Sequence, residues 1–345
     1  EGMKYFCTSA AHLIADITPD PALRNVLAGS ALLYGGLKDV STFYQHAMIN
    51  HSYIEGAYRF VDGSMQVSLE LINVIRANGG TVLNNSEATR IIVENEKVQG
   101  VIINGEERLE SDFVISNMHP QRTLEILDKN RSIKNAYISR IRSLENTYGI
   151  FTLYLVMKKK STPYQNRNLY LHANNKVWYD KLLYPGRTTN CMISMQASSE
   201  DSQYASVISI LTPMYIDELS AWKDTTPEHR GGDYQSFKKE KAKQILRFIR
   251  GHGIDLSENI EEMYATTPLS YRDYTGTVDG SAYGIIKDYK CPQIGFVSTR
   301  SRLGNLFFTG QNLNVHGALG VTLTAMLTCA EFVGQEYLAK KVGNA

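Results

Sequence analysis

The residues with the clearest chemical potential lie between Leu306 and Thr322, in the order Leu306-Phe-Phe-Thr-Gly310-Gln311-Asn-Leu-Asn-Val-His316-Gly317-Ala318-Leu319-Gly320-Val321-Thr322. Leu306 to Thr309 reads as a short buried strand, and Gly310-Gln311 as a tight turn. The loop that follows, with Gly317 and Gly320, opens into a helix beginning at Val321. Glycine lets backbone approach a ligand closely, and a helix N-terminus presents unpaired N–H groups at the positive end of its dipole. Such a unit can hold a phosphate or an electron-rich ring edge. A second candidate is Ser116-Asn117, at the end of the run Asp112-Phe-Val-Ile. It would stand at the C-terminal edge of a sheet, where α/β folds bind ligands; a capping role before Pro120 is an equal alternative. A third is Thr266 to Gly284, dense in Gly, Tyr and Thr. It reads as a long irregular segment with Tyr271, Tyr283 and Gly284 as candidate substrate residues; its Asp279 to Gly284 loop could lie over a substrate, with an ordinary glycine turn the equal alternative. His316 has no second histidine or cysteine nearby and no nucleophile elbow occurs, so neither a metal site nor a Ser/His/Asp triad is supported.

Elements that would position these residues are legible on either side. Asp20 caps a helix with Pro21 at its first position, ending near Gly29, and a second helix covers about 41–54. His46 and His51, on that helix, lack ligand spacing and read as structural. The turn Val61-Asp62-Gly63-Ser64, with Asp62 or Ser64 as cap, precedes an amphipathic helix stopped by Gly79-Gly80. Strands follow at Thr81–Leu83, Arg90–Val93 and Val98–Ile103. Asn104-Gly105 is a hairpin signal, and Asp112–Ile115 reads as a buried strand. A meander between two strands of a parallel sheet is one way to elaborate a dinucleotide-binding fold. From Tyr148 the pattern changes to strand-like runs at 152–157, 168–172, 191–196 and 205–211, which predict a mostly antiparallel sheet of four or more strands. A basic amphipathic helix spans Tyr234–Gly251, with Lys241 among its solvent-facing charges. The last helix carries Leu323, Met326, Leu327, Ala330, Val333 and Tyr337 on the face expected to pack on the sheet.

The bulk numbers agree with a core-forming protein. The chain has 345 residues, 43% hydrophobic and 21% charged, and a formal net charge of +1, which disfavours an electrostatic nucleic-acid binder. No apolar run approaches the roughly 20 residues that span a bilayer. The first residues, Glu1 to Tyr5, carry no signal-peptide pattern, and the four cysteines show no ligand or disulfide spacing. These features predict a cytoplasmic chain with buried, reduced thiols. The basic helix leaves room for peripheral membrane contact, and no obligate protein partner is implied.

The motifs resemble those of the phytoene desaturase/retinol saturase-like flavoproteins. Asp62-Gly63-Ser64, Gly79-Gly80, Gly100-Val101 and Asp112-Phe-Val-Ile-Ser-Asn117 look like the middle of that family. Thr267-Pro-Leu-Ser-Tyr271, Tyr274-Thr-Gly-Thr277 and Gly280-Ser-Ala-Tyr-Gly284 match its late substrate-domain motif. Leu306-Phe-Phe-Thr-Gly-Gln311 with His316-Gly-Ala-Leu-Gly-Val321 matches its C-terminal FAD motif. The resemblance implies an α/β fold: a Rossmann-like FAD-binding domain with an inserted β-meander (58–127 and 290–345) and an α+β substrate domain with a mostly antiparallel sheet (1–57 and 128–289).

It further implies an FAD-dependent oxidoreductase acting on a C–C or C=C bond of an apolar polyene or isoprenoid-like substrate. Gly310 and Gln311 would lie near the ribityl and pyrophosphate. His316, Gly317, Ala318, Leu319, Gly320, Val321 and Thr322 would face the pyrimidine end of the flavin, Ala88 would make a backbone contact near the adenine, and Ser116 and Asn117 are further cofactor-side candidates. The family's N-terminal GxGxxG strand–turn does not occur here. The expectation is therefore a chain lacking its diphosphate-binding segment, weak in FAD affinity and inactive alone. Two alternatives stay open: a non-catalytic lipid- and protein-binding relative of the GDP-dissociation-inhibitor type, and an amine oxidase. The intact glycine motif speaks against the first. The absence of aromatic residues in Asn312–Val315 speaks against the second. No catalytic acid or base stands out.

Overall fold

The computed structural model describes residues 3–180 and 186–343. Its ten strands are β1 (Ala88–Glu94), β2 (Lys97–Ile103), β3 (Glu107–Glu110), β4 (Val114–Ser116), β5 (Gly149–Met157), β6 (Leu169–His172), β7 (Asn190–Met195), β8 (Val207–Met214), β9 (Ile260–Thr266) and β10 (Leu306–Phe308).

The meander β1-β2-β3 is antiparallel, and its turns follow from residue type. Asn95 and Glu96 both take left-handed backbone (φ 51° and 59°), as do Asn104 and Gly105 (51° and 81°). Those values match the right-handed twist of the strands they join. Then β4 pairs in parallel with β10, Leu306 opposite Val114 and Phe308 opposite Ser116. Because the partners are about 190 residues apart in sequence, this pair brings Ser116-Asn117 beside Thr309-Gly310. Asn305 fastens the meander to the pair, accepting from Val98 N (2.9 Å) and donating to Val98 O (2.8 Å) and Asp112 O (2.8 Å). A shared core of Ile91, Val98, Leu124, Ile141, Leu306 and Phe308 lies beneath.

The third, five-stranded sheet has the order β6-β7-β8-β5-β9, all antiparallel. This is the antiparallel sheet of four or more strands expected, and its one strand not read from the sequence is β9, whose Ile-Glu-Glu-Met-Tyr-Ala-Thr shows no clean alternation and whose central residues are exposed. The Gly231–Gly251 helix packs Tyr234, Ala242, Ile245 and Ile249 onto this sheet. Lys241, expected in solvent, sits on the same buried face and reaches Glu218 Oε2 (3.3 Å) and Gly186 O (3.2 Å).

Other expectations change for stated reasons. Thr81–Leu83 forms no strand, since no neighbour offers a ladder. Ser64 makes no side-chain cap; Asp62 instead spends its carboxylate on Ser199 N (2.9 Å) and Oγ (2.6 Å). The amphipathic helix Met65–Ala77 forms as expected, yet none of its residues is buried. Thr266–Gly284 is not irregular throughout: Pro268–Thr275 is a helix, with Thr267 and Ser270 forming a capping box. The last long helix starts at Gly317, four residues early, and stops at Val333.

Its packing face also differs from expectation. Leu323, Leu327 and Val333 are exposed, while Gly320, Thr324 and Thr328 are buried. Small side chains let the helix approach β10 closely, and Thr328 Oγ1 donates to Phe308 O (3.0 Å). Cys7 and Cys329 are exposed, Cys291 is half-buried and Cys191 is buried, and all four thiols are free. Among the described residues no helix is long and apolar enough to cross a membrane.

Candidate functional site

The C-terminal ends of β4 and β10 meet the start of the Gly317–Val333 helix. Thr309 N extends the parallel ladder by donating to Ser116 O (3.0 Å), and the chain then turns at Gly310 with φ 91°. At that φ glycine is favoured, and a Cβ on Gly310 would lie 1.8 Å from the present position of Asn117 Oδ1, so an L-residue there would be strained and would displace the exposed Asn117 side chain. The Ser116 hydroxyl is committed elsewhere, at 2.7 Å from Thr123 Oγ1 inside the Pro120–Glu125 helix. That helix is capped not by Ser116 or Asn117 but by buried His119, whose Nδ1 accepts from Gln121 N (3.2 Å).

From Gly310 the loop passes half-buried Gln311 and buried Asn312 and Leu313 to His316, which caps the long helix without a side-chain bond. Gly317, Ala318 and Leu319 are exposed, and the first turn holds no acidic residue. The free N–H groups and the positive helix end therefore face outward uncompensated, which suits an anion or an electron-rich ring edge. Val321 and Thr322 lie in the next turn, where Thr322 Oγ1 donates back to Ala318 O (2.8 Å). Ala88 stands apart from this convergence, opposite Ile103 at the start of the meander.

A second loop closes against the first. Residues 282–286 run antiparallel to 145–148: Ala282 N donates to Tyr148 O (3.1 Å) and Thr147 N to Gly284 O (2.9 Å). This sets the Tyr283 ring 4.9 Å from the His316 ring, centroid to centroid. Gly284, at φ 73°, backs onto Asn312, whose Oδ1 lies 2.4 Å from where a Cβ would project. Tyr283 also meets Tyr148 edge-on at 6.1 Å, and Tyr148 meets Tyr179 and Tyr215 at 5.3 and 6.2 Å. Tyr271, from the capped Pro268–Thr275 helix, joins this wall, as do Leu37, Met192 and Leu211, all half-buried. Burial pushes the Tyr148, Tyr179 and Tyr283 phenols well above their ordinary value, so the wall is neutral.

Buried polar atoms without partners gather at the same junction. Among the described residues six such side-chain atoms occur, and four are Thr277 Oγ1, Ser281 Oγ, Asn312 Oδ1 and His316 Nε2. Burial holds His316 down to about 4, with a carbonyl contact from Leu33 opposing the shift and Lys287 adding to it, so the ring is neutral near pH 7. Sequence reasoning passed over Asn312 and Lys287 as site residues; a polar side chain in an apolar stretch was their only signal. No group of three or more His, Cys, Asp or Glu is placed to hold a metal among the described residues. A separate groove of about 610 Å³ runs between Phe296–Arg300 and Leu327–Gln335, but its Arg300 and Thr299 are already bonded to Glu331.

No family model matches the chain. It is similar to the all-trans-retinol 13,14-reductase of Danio rerio, at 23% identity over 96% of this chain and 58% of the relative. It is also similar to 4,4'-diaponeurosporene oxygenase of Staphylococcus aureus (strain bovine RF122 / ET3-1), at 21% identity over 93% of this chain and 64% of the relative. The chain thus spans about three fifths of the curated relatives it matches. Among solved structures, an oxidoreductase from Methanosarcina mazei superposes with a TM-score of 0.58 at 15% identity, covering 92% of this chain and 67% of that one. The resemblance carried by the motifs therefore holds along nearly the whole chain, and the fold is the expected mixed α/β one.

Proposed function

We propose that the protein carrying this chain is an FAD-dependent oxidoreductase that moves hydride between flavin and a C–C or C=C bond of an apolar, polyene or isoprenoid-like substrate. The observation that carries this reading is the uncapped, acid-free start of the Gly317–Val333 helix, set at the C-terminal edge of the β4–β10 pair by the Gly310 turn. The site fits a flavin: exposed N–H groups at a positive helix end, a glycine turn closed by Asn117, and an unpaired buried His316 Nε2. When bound, the flavin supplies the hydride chemistry.

The chain's own residues bind and orient. Gly310 and Gln311 would hold the ribityl and diphosphate side through backbone. His316 to Thr322 would hold the pyrimidine edge, where the helix end favours negative charge on the reduced ring. The wall of Tyr148, Tyr215, Tyr271, Tyr283, Met192 and Leu211 would exclude water and pack an apolar substrate beside Gly284. Residues 58–127 and 290–345 form the cofactor side in this reading, and 1–57 and 128–289 the substrate side. Membrane contact would be peripheral, through exposed basic and apolar surface.

The test is flavin binding by the full-length protein, followed by absorbance, alongside the 345-residue chain. Full-length protein should purify yellow or load with FAD. An Ala318→Glu variant, which sets a carboxylate at the helix start, should bind FAD about two- to fivefold more weakly. The 345-residue chain alone should bind it poorly. A full-length protein that is colourless and cannot be loaded refutes the reading and favours the non-catalytic, lipid-binding alternative.

A further inference from the structure

Lys287 lies in the stretch that joins the tyrosine wall to β10, and 7% of its surface is exposed. A buried ammonium ordinarily sits on a carboxylate. This one instead donates to two backbone carbonyls, Gly295 O and Leu313 O (2.9 Å), with the Phe296 ring 5.0 Å beneath. Leu313 is the midpoint of the Gly310–Gly317 loop, and its carbonyl also accepts from Val297 N (3.2 Å). The amine thus ties the cofactor-side loop to the 295–297 segment. It also borders a small cavity with Thr42, Tyr44, Gln45 and Asn314.

We propose that Lys287 is the positioning residue of the Gly310–Gly317 loop: its side-chain nitrogen fixes the Leu313 carbonyl and so sets the approach to the helix start at Gly317. Its importance for catalysis rests on the flavin reading of that loop; the clamp itself does not. The charged or titratable groups around it are His316, neutral near pH 7, and the Arg140 guanidinium, which donates to Ile294 O (3.2 Å) and Phe296 O (2.9 Å) on either side of Gly295; Thr42, Tyr44 and Gln45 line the same cavity. None of these supplies a negative charge there. Burial accordingly pushes the amine down from 10.5 to about 7.

Loop opening would return the amine to water and to its ordinary value. The closed loop therefore binds fewer protons than the open one between about 7 and 10.5. Its closure is weakest below about 7 and strengthens as pH rises through that window.

Hydrogen exchange in the full-length protein without added cofactor tests this. Relative to wild type, Lys287→Met keeps the apolar stem over Phe296 and loses only the bonds. The amides of Leu313 and Val297, bonded to Gly310 O and Leu313 O, should exchange about tenfold faster in the variant at alkaline pH, the loss of one to two hydrogen bonds. In wild type the protection of those amides, corrected for intrinsic rate, should rise with pH above neutrality, and in Lys287→Met it should not. If the variant fails to fold, the wild-type profile and an NMR titration of the Lys287 amine still decide. Unchanged exchange in Lys287→Met, or a Lys287 that titrates at its ordinary value, overturns the proposal. The readout needs no flavin, so a colourless protein would sink the flavin reading and leave the clamp standing. Normal FAD binding with unchanged loop exchange in Lys287→Met would do the reverse.

Discussion

Replacing Gly284 by alanine probes the contact that joins the 282–286 loop to the 310–317 loop. Two penalties can be separated. Gly284 holds φ at 73°, where an L-residue pays roughly 1–2 kcal/mol. The new Cβ would also stand 2.4 Å from Asn312 Oδ1 and 3.4 Å from Asn312 Cα. Asn312 is 4% exposed and cannot swing into solvent, so overpacking adds about 1–3 kcal/mol. Gly284→Ala should therefore destabilise the protein by about 2–5 kcal/mol. It should lower the midpoint of urea unfolding without changing the slope. Asn312→Ala removes the obstructing oxygen but leaves the backbone strain. The double variant should recover the overpacking share, giving a coupling of about 1–3 kcal/mol in a double-mutant cycle. A Gly284→Ala protein within about 0.5 kcal/mol of wild type would refute the geometry, since that is the scatter of surface changes. Strict additivity with Asn312→Ala would refute the contact even if the single variant were unstable.

Thr328→Val keeps the shape of the helix face and deletes the 3.0 Å bond to Phe308 O; it should cost about 1 kcal/mol by chemical denaturation. Tyr34→Phe removes the buried 2.9 Å bond to His46 Nδ1, and the same assay should show a loss of about 1–3 kcal/mol because His46 is left without that partner. Burial lowers His46, His119, His172 and His316, the last from 6.5 to about 4. The folded chain then holds fewer protons than the unfolded one between about 4 and 6.5. Stability from His316 is complete above 6.5 and falls as acid carries the chain through that window, by about 3 kcal/mol at the limit. His316→Gln should flatten that part of the melting-temperature profile; an unchanged slope would mean the ring is solvated.

Much of the architecture was written in local sequence. Asp20-Pro21 gave its helix, with Asp20 Oδ1 accepting from Ala22 N at 2.8 Å, and Asn104-Gly105 gave its hairpin, because caps and left-handed turns depend on residues a few positions apart. The glycine spacing from Gly310 to Gly320 likewise marked a turn at Gly310 and a helix start at Gly317, since positive φ and a free helix end are properties of backbone. Tertiary structure alone decided which atoms meet. Nothing local distinguishes Lys241 and Lys287 from solvated lysines; both are buried because partners from elsewhere in the chain, Glu218 for one and the Gly295 and Leu313 carbonyls for the other, receive them. Hydrophobicity pointed to Leu323, Leu327 and Val333 as the packed face of the last long helix. Packing chose Gly320, Thr324 and Thr328, because helix and strand come close enough for a hydroxyl to bond a strand carbonyl. The pairing of Asn117 with Gly310, and of Gly284 with Asn312, required a parallel ladder and a returning loop, contacts between distant residues that periodicity does not encode.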